Sequence, residues 1–148
     1  MAEVLAAEVS INIQYLAVAF VSRNPSKVPP DFRLSTTVFE SVVGRLGELP
    51  PALVGEVVFL YRYFEELNRL PEKYVGYVND LRSAMAADTN RRNQIDREIQ
   101  ACVDVYNSYL DKCIDRLDLV QPMLLNVAFP FWSPRTLAAR PLEESFIG

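Results

Sequence analysis

Apolar side chains recur at spacings of three and four along most of this chain, the period of a helix with one buried side. Leu5, Val9, Leu16 and Phe20 share one face of a first helix, and Val4, Ile11, Ile13, Tyr15 and Val18 widen the apolar surface so far that the helix is expected to be largely buried. No capping residue precedes it, as would hold for a helix continuing upstream of the given sequence. Across residues 23–34, Asn24-Pro25-Ser26 and Pro29-Pro30 interrupt regular structure, while Val28, Phe32 and Leu34 can pin an ordered loop. Ser35, Thr36 and Thr37 offer N-caps, and Thr37 with Glu40 fits a capping box. Phe39, Val42, Val43 and Leu46 then give a short second helix that Gly47 can close.

Pro51 suits the first position of a third helix with a core stripe of Leu53, Val57, Leu60, Phe64 and Leu67. Pro71 ends or bends it, so residues 71–86, with Tyr74, Val78, Leu81 and Met85, form either a fourth helix or a bent continuation of the third. Asp88, Thr89 and Asn90 can cap the longest element, whose stripe is Ile95, Ile99, Cys102, Tyr106, Tyr109, Cys113, Leu117 and Val120. Val103, Leu110 and Ile114 broaden that stripe into the face of a bundle helix. After Val120 the period is lost among Pro122, Pro130, Pro134 and Pro141. The expectation is all-α: an antiparallel bundle of four to five helices over residues 1–121, with an irregular Pro- and aromatic-containing C-terminal tail over 122–148. The tail either covers one end of the bundle, the favoured reading, or presents Phe129, Phe131 and Trp132 to a partner or a membrane surface.

Composition narrows the chemistry. A chain of 148 residues, half of them apolar and only five of them glycine, suits one packed domain. The net charge of −4 with interspersed signs offers no basic row for phosphates, so nucleic acid is not an expected partner. The chain has no histidine, which removes Ser-His-Asp and Cys-His nucleophile activation, H-E-x-x-H zinc sites and the E-x-x-H half-sites of di-iron bundles. Acidic pairs spaced E-x-x-E or E-x-x-D, which helical metal-dependent hydrolases set across a bundle, do not occur either. What chemistry remains must use carboxylates, Lys, Tyr or Cys, so the chain is expected not to be an enzyme and to use no cofactor or metal, with an enzyme using carboxylates alone as a third reading.

Cys102 and Cys113 on one helix would stand about 16 Å apart, too far to bond to each other. Core thiols in a reducing compartment is the favoured reading, with an intermolecular bridge or a reactive thiol as alternatives. No single apolar run approaches the roughly 20 residues that span a bilayer, so the chain as given is expected to be soluble.

Two sets of side chains are candidate sites. Glu8, Asn12 and Tyr15 make a polar strip at i, i+4 and i+7 beside apolar surface, and Arg62 and Tyr61 on the third helix can partner it. A buried network that fixes helix docking is favoured over a ligand site. Tyr61, Tyr63, Tyr74, Tyr77, Tyr106 and Tyr109 could line a pocket, although packing at the core edge is commoner. Glu65-Glu66 and the pair Asp111 and Asp115 read as solvated charges.

Leu5, Glu8, Val9 and Asn12 spell L-x-x-E-V-x-x-N, followed by a Pro-containing loop, residues 35–39, then Leu46-Gly47-Glu48-Leu49-Pro50 and Phe59-Leu60-Tyr61. Over about the first 70 residues this order is similar to a diffuse group of uncharacterised bacterial helical domains often found next to a membrane-spanning helix. The resemblance carries no activity. It implies a cytoplasmic domain at the inner face of a membrane, anchored through a segment outside this chain. The expected function is thus a non-enzymatic protein-interaction or self-association module, with a small-ligand-binding sensor bundle as the alternative.

Overall fold

The computed structural model describes residues 1–28, 33–84 and 89–130, and among these the chain is all-α. Helix α1 spans Ala2–Ser22, α2 Thr37–Val42, α3 Pro51–Ala84 and α4 Thr89–Ala128, with short 3-10 segments at Pro25–Lys27 and Val43–Glu48. Helix α3 is unbroken through Pro71, which decides between the two readings of residues 71–86. Proline there removes one N–H and crowds the carbonyl four residues back. The helix persists with Leu67 and Leu70 buried in the turn that leads into Pro71, and Cys102 of α4 directs its thiol to the Leu70 carbonyl at 3.8 Å.

Helix α4 also runs on through Pro122, and this corrects the boundary read at residues 121 and 122. Leu117, Val120, Leu124 and Ala128 keep the three- and four-residue spacing and are all buried, so packing carries the helix past a residue that punctuates the sequence. Phe129 follows at the helix end and is exposed. Phe131, Trp132 and the rest of the tail lie outside the described residues.

Cross-contacts fix the directions of the long helices. Glu56 pairs with Arg116, the Tyr63 and Tyr109 rings stand 5.8 Å apart, and Leu70 meets Cys102. Position along α3 rises as position along α4 falls in equal steps, so the two are antiparallel neighbours. Arg23, just past α1, pairs with Asp111, while Ile13 and Phe20 share a groove with Ile114 and Gln121, so α1 also runs against α4. One apolar core unites the inner sides of α1, α3 and α4 with Phe39, Val42, Leu46 and Leu49 from the segment between α1 and α3.

The end of α1 depends on that ion pair. Arg23 takes the left-handed conformation, φ 48° and ψ 29°, and its N–H closes the helix on the Ala19 carbonyl. Glycine usually occupies such a position because a Cβ is strained there. Arg23 offsets the strain by gripping both Asp111 carboxylate oxygens, at 2.9 and 3.0 Å, with its guanidinium 5.0 Å from the Phe20 ring centre. That hydrogen-bonded guanidinium holds the Asp111 carboxyl below its usual range, so Asp111 is an anchor as well as a solvated charge.

Two expectations for α1 fail. Val4, Ile11, Tyr15, Val18, Phe20 and Val21 are exposed, so the helix buries one side and leaves the other apolar side open. By length and composition Ala2–Ser22 could also cross a membrane, an 18-residue window within it having mean hydropathy 1.7, contrary to the reading of no such run. Glu3, Glu8 and Asn12 break its apolar runs without lowering the average far enough.

Candidate functional site

A buried polar cluster lies where α1 and α3 grip the irregular stretch that leads into α2. Glu8, only 3% exposed, accepts four hydrogen bonds. Its Oε2 takes the Ser35 hydroxyl at 2.8 Å and the Val38 N–H at 2.8 Å, and its Oε1 takes the Tyr61 hydroxyl at 2.7 Å and the Phe39 N–H at 3.2 Å. Four donors and no acceptor form the coordination shell of an ionised carboxylate. No cation is needed among these partners, because four donors and the positive end of α2 replace the lost hydration.

Glu8 therefore does what the local sequence was expected to do. In place of a capping box from Thr37 to Glu40, the first-turn N–H groups of α2 are capped by a carboxylate from another helix. Glu40 instead accepts the Thr36 hydroxyl at 3.1 Å, on the outside. A tertiary cap wins because it satisfies two backbone donors in a dry site, where leaving them unpaired costs most.

Two asparagines clamp the residues just before. Asn12, fully buried, gives its Nδ2 to the Ser35 carbonyl at 2.8 Å and accepts the Ser35 N–H on Oδ1 at 2.7 Å. Asn68 of α3 does the same to Leu34, accepting its N–H at 2.7 Å and donating to its carbonyl at 2.9 Å. Each side-chain amide imitates a neighbouring β-strand, and consecutive residues are held by helices on either side.

Tyr61 completes the arrangement. Its ring stacks on Phe39 at 4.2 Å between centres and meets Phe64 edge-on at 5.0 Å. Burial, followed by the bond to Glu8, pushes its phenol far above the usual range, so it remains a proton donor. The carboxylate, both amides and the phenol are already committed to the chain itself. The chemical capacity of the cluster is to fix the path of residues 34–39.

Of the five side chains proposed from sequence, the structure brings Glu8, Asn12 and Tyr61 together and places Tyr15 and Arg62 elsewhere. Tyr15 is exposed on α1, and Arg62 faces an open depression beside Phe59, Tyr63 and Glu66. The neighbouring Tyr61 supplies the α3 contact. Ser35 was read only as an N-cap candidate, and Asn68 escaped the sequence reading. Asn68 had a usable signal: Tyr61, Phe64 and Asn68 lie at i, i+3 and i+7, a polar residue within an inward stripe like Asn12.

The other tyrosines do not converge with it. Tyr106 is buried, Tyr63 and Tyr109 meet each other, and Tyr74 and Tyr77 sit further along α3. Both cysteines are buried and unbridged. Burial raises both thiols, that of Cys113 to about 12, which keeps them protonated and unreactive.

The remaining unusual feature is the outward side of α1. Between Glu3 and Arg23 it carries no charge, since Glu8 is turned inward. A groove of about 340 Å³, floored by Leu16, Phe20 and Leu117, runs beside it against α4. No protein-family model, curated protein or solved structure matches the chain.

Proposed function

We propose that the chain is a non-enzymatic helical interaction domain, an antiparallel bundle that docks a partner through the outward face of α1. The observation that carries this reading is an uncharged, mostly apolar stripe, broken only by Ser10 and Gln14, on a helix whose opposite side is fixed in the core. A solvated helix face normally bears charge, and a contiguous apolar patch on a soluble surface marks a contact site. The internal commitment of Glu8, Asn12, Asn68 and Tyr61 favours this over a ligand-binding sensor, because the convergent polar groups a ligand would need are already used.

Insertion of α1 across a membrane is disfavoured on the same grounds. It would pull the Glu8 carboxylate from four donors and the Asn12 amide from two backbone groups, and hydrocarbon would replace none of them.

The test uses the full chain, dilute, with a dye that fluoresces on apolar surfaces. The parent chain is expected to bind the dye, and Val18→Glu/Val21→Glu to lose that binding with its circular dichroism unchanged. Both residues are exposed, so the fold should tolerate the change. Dye binding that is absent, or indifferent to the double substitution, would remove the basis for a docking face.

A further inference from the structure

The outward stripe of α1 has more order than apolarity alone requires. Val4, Ile11 and Val18 are seven residues apart, and so are Ala7, Gln14 and Val21, offset by three. These are the a and d positions of three successive heptads. The inward residues Ala2, Val9 and Leu16 occupy f, and Leu5, Asn12 and Ala19 occupy b, so the core fixes the far side of the same helix. Val4, Ile11, Val18 and Val21 keep 48, 51, 61 and 87% of their surface exposed. The helix thus carries a second seam, pointed at solvent.

Resting on the docking reading above, we infer that this seam pairs with the α1 seam of a second copy of the chain, the two helices parallel about a two-fold axis. All three a positions are β-branched, as in two-stranded parallel coiled coils, whereas Ala7, Gln14 and Val21 stand at the d positions where those coils usually have Leu. Parallel pairing sets Gln14 against Gln14 of the partner subunit, where each amide can donate to and accept from the other. An apolar partner or a lipid surface would strand that amide, and antiparallel pairing would set it opposite Ile11. No like charges meet along the seam, since Glu3 lies at its edge and Glu8 faces inward. The seam's exposed apolar contacts are Val4, Ile11, Tyr15, Val18 and Val21 on a single helix, few against the roughly 20–30 residues a side of a standard specific complex. The dimer is therefore concentration-dependent.

The experiment is sedimentation of the full chain over a concentration series, with cross-linking of single-cysteine additions. Cys102 and Cys113 are buried, so an introduced thiol is the exposed one. The expected results are a monomer–dimer equilibrium, weakened about tenfold or more by Val18→Glu, and disulfide-linked dimers from Val4→Cys alone and from Val21→Cys alone under a mild oxidant. Cross-linking only when the two variants are mixed would mean antiparallel helices and overturn the inference. So would a monomer at every concentration, or binding to phosphatidylcholine–phosphatidylglycerol vesicles that Val18→Glu abolishes. A strict monomer that still binds the dye through α1 overturns the second copy alone, whereas loss of the dye signal removes the docking face itself.

Discussion

Replacing Glu8 by Gln changes one atom and tests whether a buried carboxylate organises the α1–α2 connection. Each carboxylate oxygen accepts one backbone N–H and one hydroxyl. Whichever oxygen becomes the amide nitrogen, a hydroxyl can rotate away, but either the Val38 or the Phe39 N–H is left facing another donor. A stranded buried N–H costs about 1–3 kcal/mol, and the surviving bonds lose roughly 1 kcal/mol each in passing from charged to neutral acceptors. The easier burial of a neutral amide offsets part of this. The expected net loss is about 2–4 kcal/mol in urea unfolding followed by circular dichroism, and a fall of about 6–12 °C in Tm. Tyr61→Phe, which removes one donor and leaves three, is expected to cost about 1.5–3 kcal/mol alone and markedly less in the Glu8→Gln background. A Glu8→Gln variant within about 0.5 kcal/mol of the parent, or additive losses, would refute the four-donor account.

The asparagine clamps predict separable effects in amide hydrogen exchange. Asn12→Ala is expected to speed exchange at Ser35 and Asn68→Ala at Leu34, each costing about 2–3 kcal/mol; equal acceleration at both sites from either variant would contradict two independent clamps. Alkaline stability reports on the core thiol and phenol. Cys113 is raised from 9.0 to about 12 and Tyr106 from 10.0 to about 12, so both bind a proton more tightly when folded. Their stabilisation is complete below the unfolded values and is lost as pH rises toward 12. Unfolding free energy should therefore fall from about pH 9 upward, less steeply in Cys113→Ala, and flat stability to pH 11 would show these groups to be solvated.

Much of the fold was legible in the chain itself because helices write their buried faces locally. The stripe of Leu53, Val57, Leu60, Phe64 and Leu67 needs only a period and a proline at its start, and all five are buried. Likewise Glu8 and Asn12 stand out as polar residues on an apolar face, and the missing histidine limits the chemistry wherever the chain goes. Prolines misled at residue 122 because punctuation is a local cost, whereas Leu124 and Ala128 are held by packing against distant elements. Tertiary structure alone chose Tyr61 over Arg62, since adjacent residues on a helix point about 100° apart and the docking angle decides which turns inward. It alone replaced a local capping box with a carboxylate from α1, and it alone turned one apolar side of α1 to the core and left the heptad side to solvent. Periodicity shows that a face is apolar; only the neighbours that the fold brings to it determine whether it is covered.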